Sequence, residues 1–274
     1  MKLNGRKTVV TVWILLVLAA IGILWSRGPL PQDQAYHAFA DHRPLLGIPN
    51  FGDVVSNLPF AFIGAYGMWL IMWLHRRRTT NSAKLLGNAD FASLSIFCVG
   101  VILTCFGSAY YHWSPSNATL AWDRFPMTIA FAGLVAMVVS DRISSRLAAW
   151  LLIPLLCAGA ASVFYWDYTE EQGRGDLRPY AIVQFAPLCM LPVMALGFKA
   201  RYLKAGVLMH ALFWYALAKV LETADHQVFK AWTLLGVEVV SGHSLKHIAA
   251  SIAPLVILNG IRKEALREDT TRTY

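Results

Sequence analysis

Uninterrupted apolar runs of about 20 residues recur from one end of this chain to the other, and a run of that length matches the thickness of a bilayer. They cover 9–25, 54–74, 91–112, 125–140, 147–166, 180–198, 205–221 and 243–261, eight candidates in all. Backbone in hydrocarbon must satisfy its hydrogen bonds within the segment, so each run is expected to be a helix. Composition agrees: of 274 residues, 57% are hydrophobic and 15% charged, and the mean hydropathy of +0.48 is outside the range of soluble domains of this length. The expected fold class is therefore an all-α integral membrane bundle with about eight spans.

A net charge of +8 raises nucleic acid as a partner. The basic residues, however, fall in short clusters between apolar runs rather than along one face, which argues for the bilayer as partner and against nucleic acid. Lysine and arginine collect on the cytoplasmic side of membrane proteins. Here they gather at the N-terminus, at His75-Arg76-Arg77-Arg78, at 141–146, at 199–204 and from Arg262 onward, which are alternate ends of an eight-span path. The acidic 167–176 and 222–225 segments lie on the other side. An N-in, C-in topology is expected, with the acidic loops outside.

The chain divides into a basic segment with its first run at 1–30, a membrane domain at 31–262 and a cytoplasmic tail at 263–274. The first run follows a basic start that suits a secretory signal as well as a span, and its length favours a retained span. The basic start without an organellar signal points to a bacterial inner membrane. Cys98, Cys105, Cys157 and Cys189 all fall inside apolar runs without a CxxC pair, so they read as small core residues rather than disulfides or thiolate ligands.

Ionisable groups at membrane depth are costly and call for a functional reading. Ser108 and His112 are four apart and share a helix face. Asp123 precedes an apolar run. His243 and His247 repeat the spacing of four at the start of the last run. The charge-derived path brings these five residues to one membrane face. Three imidazoles form a neutral nitrogen set that suits zinc and leaves a fourth position for water. Taken singly, each has a plainer explanation: a hydrogen-bonded histidine, a helix-packing serine, a capping aspartate or one paired with Arg124. Tyr110, Tyr111 and Trp122 read as interfacial anchors before pocket walls. Lys246 is expected to snorkel to the interface, and Asp176-Leu177-Arg178 to be a solvated loop rather than a head-group site.

The pattern SxxxH, an aspartate eleven residues on, and HxxxH in the last span resembles the alkaline ceramidases, within the CREST group of membrane hydrolases that includes the progestin and adipoQ receptors. It reads Ser108-x-x-x-His112, Asp123 and His243-x-x-x-His247, and the likeness spans 41–261, opening with Asp53-Val54-Val55-Ser56-Asn57-Leu58. The resemblance implies a seven-helix bundle, so that 9–25 is an extra N-terminal helix or a signal. It implies zinc on His112, His243 and His247, with Ser108 and Asp123 catalytic beside it. It implies hydrolysis of the N-acyl amide of a ceramide-like lipid, in sphingolipid metabolism or on another acyl-amide lipid. The family's calcium site would correspond to Asp41, Asn50 and Asp53, but the fuller Asp-Trp-x-Glu pattern is missing, and Asp53 is expected to cap a helix or brace a basic partner. Two other readings stay open: a receptor or scaffold holding structural zinc without turnover, and a transporter or haem protein using histidine pairs.

Overall fold

The computed structural model describes residues 3–80, 86–237 and 240–272, with side chains described for 11–77, 86–237 and 240–267. Its regular structure in these residues is helical: α1 (Leu3–Ser26), a 3₁₀ turn (Gln34–His37), α2 (Phe51–Val55), α3 (Leu58–Thr80), α4 (Asn88–Trp113), α5 (Asn117–Arg142), α6 (Ser145–Glu171), α7 (Arg178–Gly197), α8 (Ala205–Thr223), α9 (Asp225–Leu234) and α10 (Gly242–Arg272). Among the described residues, seven helices are long and apolar enough to cross a membrane: Phe51–Arg77, which joins α2 to α3, and α4, α5, α6, α7, α8 and α10. The chain is an all-α, multi-pass membrane bundle. The sequence runs at 54–74 through 243–261 each fall in one of these spans, with 180–198 passing the end of α7 by a single residue. The 263–274 segment is helical as far as Arg272, because α10 continues into it without a break.

α1 packs alongside α7, where the Trp13 indole donates to the Cys189 carbonyl at 3.2 Å. Most of its described side chains are exposed. α5 is the opposite case, buried over most of its length at the centre of the bundle. Its contact with α4 is the most extensive in the fold, and glycine makes it so. A Cβ at Gly100 would strike the backbone of Ala130, and one at Gly133 the backbone of Phe97, so the two helices approach more closely than side chains permit elsewhere. The core formed by Leu94, Phe97, Cys98, Val101 and Met137 seals that contact.

Cys98 and Cys105 are buried as expected, whereas Cys157 and Cys189 are exposed on the outside of the bundle. In lipid an apolar exterior carries no penalty, so a small apolar residue in a run need not be a core residue.

The end of the bundle opposite the histidines is locked by ion pairs on two buried carboxylates, Asp90 and Asp141. Asp90 closes the start of α4 by accepting from the Gly87 amide and from the Arg201 guanidinium at 2.5 Å, and Tyr202 donates to it at 3.0 Å. Asp141 pairs with Arg142 at 2.9 Å and accepts the Tyr202 and Leu203 amides. Burial, with Asp90 and Asp141 next in effect, holds the Tyr202 phenol well above its ordinary pKa, so it stays a donor.

Candidate metal and catalytic site

The site begins with a helix-packing problem. Pro126 in α5 has no N–H, so the Trp122 carbonyl one turn earlier lacks its usual helical donor. Gly107 of α4 lies against that carbonyl, and a Cβ there would collide with it and crowd the Pro126 ring. The next residues along, Ser108 and Asp123, are thereby brought face to face at the inner surface of the α4–α5 contact. Both are buried, at 2% and 7% exposure. Asp123 had been placed at the start of its span. The helix in fact opens at Asn117, capped by Ser116, so Asp123 sits nearly two turns inside.

His112 ends α4, while His243 and His247 open α10 at the same end of the bundle, and all three are buried. One nitrogen from each falls within 4.8 Å of the others, and the Nε2 atoms of His112 and His243 are 3.3 Å apart. Two neutral imidazole nitrogens facing each other at that distance set lone pair against lone pair unless a cation or proton lies between them. The edge of a tetrahedron around zinc, with bonds of 2.0–2.1 Å, is about 3.3–3.4 Å. The donor set, and the spacing of that pair, are compatible with a tetrahedral ion such as zinc.

The second set of contacts fixes these rings. The Ser56 hydroxyl donates to the Asp53 carbonyl at 3.1 Å and accepts from His247 Nδ1 at 2.7 Å, which turns the His247 Nε2 lone pair inward. Asp225 accepts the His243 amide at 2.8 Å, capping the first turn of α10, and takes the Ala40 amide on its other oxygen at 2.9 Å. Gly242 permits this, because a Cβ there would meet the Asp225 backbone. Phe39, buried in the segment before α2, covers the cluster with its ring 4.6 Å from His112 and 4.7 Å from His243. Phe39, Asp225 and Glu222 were not foreseen from the sequence. Asp225 and Glu222 were read only as loop acidity, and a lone phenylalanine between runs carries no signal.

Among the described residues Asp53 neither caps a helix nor pairs with a cation. Its Oδ1 accepts from the Ser241 and Ser244 hydroxyls at 2.9 and 2.6 Å, tying the first span to the start of α10. The residues aligned with a calcium site are otherwise engaged. Asp41 is clasped by the Arg43 guanidinium through two contacts of 2.7 Å, and Asn50 donates to the His112 carbonyl at 2.8 Å. Burial pushes the Asp41 carboxyl up, but the hydrogen bonds and charge of Arg43 more than offset it, and the group lies below its ordinary pKa.

Ser108 Oγ is 3.5 Å from His247 Nε2. It opens, with Asp123 and His247, onto a cavity of about 140 Å³ whose other walls are almost wholly apolar. On α4 the lining runs from Ser108 to Phe97, on α5 from Asp123 to Leu134 and on α10 from His247 to Ile257. At 1.5 Å per residue these stretches make a slot about 15–16 Å deep along the bundle. Lys246, Tyr215 and Met127 line it near Asp123 and His247.

Several expectations change here. Lys246 does not snorkel; its ammonium turns inward to Glu222 at 3.3 Å. Asp123 does not pair with Arg124, which instead donates to Gln32 Oε1 at 2.6 Å. Tyr110 and Trp122 are exposed on the outside, in keeping with the anchor reading, whereas Tyr111 is core, with its hydroxyl 2.8 Å from His37 Nδ1. None of the three lines the cavity. Asp176 and Arg178 form a buried pair joined at 2.7 Å rather than a solvated loop, and Arg178 also donates to the Trp25 carbonyl at 3.1 Å.

No protein-family model matches this chain, and no curated protein matches it, so the site stands on its own geometry.

Proposed function

We propose that this chain is a zinc-dependent membrane amidohydrolase that cleaves the N-acyl amide bond of a lipid, of the kind the ceramidase resemblance implies. One observation carries the reading: a three-histidine cluster, a buried serine and a buried aspartate stand at the polar end of an otherwise apolar slot. A structural zinc site needs no such slot, and a haem protein has no use for the aspartate. An acyl chain in the slot would leave its amide at Ser108, Asp123 and His247.

His112, His243 and His247 would hold zinc, which would supply Lewis acidity and lower the pKa of water toward neutrality. Asp123 takes a proton from the attacking water and returns it to the nitrogen of the leaving amine, so that fatty acid and free amine result. Ser108 donates a hydrogen bond to the carbonyl oxygen as negative charge develops there. Phe39 keeps bulk water off the rings.

The chemistry is placed at the outer face of a bacterial inner membrane, with both termini inside and α1 as an eighth span. The charge distribution supports that orientation: His75, Arg76, Arg77, Arg146, Lys199 and Arg262 lie at the end of the bundle remote from the histidines.

The test is metal content by plasma mass spectrometry on detergent-purified protein, beside the His243→Ala/His247→Ala double variant, with cleavage of a fluorescent ceramide and of simpler acyl amides. About one zinc per chain and amide cleavage, both lost in the variant, are expected. Zinc without cleavage of any amide would leave a receptor or scaffold, and protein without zinc would overturn the site.

A further inference from the structure

Beside the apolar slot lies a second chamber of about 150 Å³, and its character is different. Arg124, Lys219, Lys246, Glu222, Tyr36 and Gln184 contribute to its walls. The two chambers share Asp123, Met127, Tyr215, Lys246 and Ala250, so Asp123 stands at their junction. An amide attacked at that junction has its acyl chain in the apolar slot and its amine substituent in the polar chamber.

Three cations, Arg124, Lys219 and Lys246, share the polar chamber with two carboxylates, Asp123 and Glu222, and Asp123 makes no ion pair with Arg124. Glu222 is satisfied several times over, by Tyr36 at 3.1 Å, by Lys246 at 3.3 Å and by Lys219. Burial and the neighbouring Glu222 hold the Tyr36 phenol well above its ordinary pKa, so it remains a donor. Arg124 is left over. It is 7% exposed, its Nη1 has no hydrogen-bond partner, and it enters no ion pair among the described residues.

The other two buried arginines show what is missing. Arg142 has Asp141 at 2.9 Å and Arg178 has Asp176 at 2.7 Å. In place of a carboxylate, Arg124 has the faces of Trp166 at 4.2 Å and Tyr180 at 4.9 Å, with Gln32 on Nη2. Aromatic faces steady a guanidinium and fix its plane, but they accept no in-plane N–H bond and cancel no charge. A buried cation held in plane with a free N–H, on the wall of a chamber that adjoins the reacting position, is built to receive an anion.

We propose that Arg124 receives an acidic group, carboxylate or phosphate, on the amine half of the substrate, making the substrate class a single-tailed N-acyl amine with a compact acidic head, such as an N-acyl amino acid. This rests on the hydrolase reading above for which bond is cut. It departs from ceramide, whose amine half carries a second long chain and no charge. The apolar slot accounts for one chain, and the second chamber is walled by the charged groups of Arg124, Lys219, Lys246 and Glu222.

The experiment compares four amides of one acyl length on the full-length, zinc-loaded protein in detergent: N-lauroylglycine, N-lauroyl-phosphoethanolamine, neutral N-lauroylethanolamine and N-lauroyl sphingosine. Wild type is expected to favour an acidic amide over the neutral one by tenfold or more in kcat/KM. In Arg124→Gln that ratio falls toward one, and in Arg124→Lys it is partly restored. Preference for the glycine amide assigns a carboxylate, and preference for the phosphoethanolamine amide a phosphate. Equal rates, or fastest cleavage of the sphingosine amide, would overturn the proposal, and these outcomes need no variant. If none of the four is cleaved, the hydrolase reading fails by itself. Thermal stabilisation of the same protein by the four amides then decides the chamber: a larger shift with the acidic amides, lost in Arg124→Gln, supports it, and equal shifts sink it.

Discussion

The Ser56 hydroxyl sits 2.7 Å from His247 Nδ1 and gives its own proton to the Asp53 carbonyl, so one serine in the first span fixes which nitrogen of a histidine in the last span faces the cluster. Such outer contacts raise ligand basicity and hold ring orientation. Ser56→Ala is therefore expected to weaken zinc binding by about 10–100-fold, the usual effect of losing such a partner. A chelator competition titration reads this directly, and unchanged affinity would remove Ser56 from the site.

Asp123 and the histidines separate in their effects. Asp123→Asn keeps the shape of the side chain and removes the proton acceptor, so zinc content should stay near that of wild type while turnover falls by about 10²–10⁴. Ser108→Ala should cost about 10²–10³ if its hydroxyl faces the developing oxyanion. Rates within threefold of wild type in either variant would cancel the role assigned to that residue.

Gly107 sets the distance between α4 and α5 at the site, because any Cβ there meets the Trp122 carbonyl left bare by Pro126. Gly107→Val should destabilise the bundle by about 1–3 kcal/mol, as overpacking does. It should also cut turnover by separating Ser108 from Asp123. Thermal unfolding in detergent and a rate measurement below the transition check both parts, and a variant with native stability and rate would refute the packing argument.

Arg43 occupies the carboxylate that calcium would need. Millimolar calcium is accordingly expected to leave the unfolding temperature of the wild type unchanged, whereas a shift of several degrees would show a site elsewhere. The same pair sets a pH dependence. The Asp41 pKa is lower folded than unfolded, so its contribution is present above about pH 4 and is lost as pH falls through the folded value. The stability advantage of wild type over Arg43→Gln should therefore shrink as pH is lowered from 5 toward 3.

The seven spans were legible because hydrophobic length is a local property: each run of about 20 apolar residues announces itself without reference to any other. The site candidates were legible for a related reason. A histidine or aspartate at that depth is conspicuous, and a spacing of four places two rings on one helix face wherever the helix goes. So Ser108, His112, Asp123, His243 and His247 could be named from their spacing and from the side of the membrane that the basic clusters assign them.

What the sequence could not supply is every relation that depends on two helices meeting. That Asp225 caps α10 and Glu222 draws Lys246 inward follows from the packing of α8 on α10. That Cys157 and Cys189 face outward, and that Asp176 and Arg178 are a buried pair, depends on which side of each helix finds a neighbour. Arg124 is the clearest case. In the sequence it stands beside Asp123 and looks neutralised by it, yet successive residues on a helix point about 100° apart. One turns toward the histidines and the other toward Trp166 and Tyr180. Hydropathy and spacing along one helix decided the fold class and the candidate site; only side-chain direction in the packed bundle decided where each charge found, or failed to find, its partner.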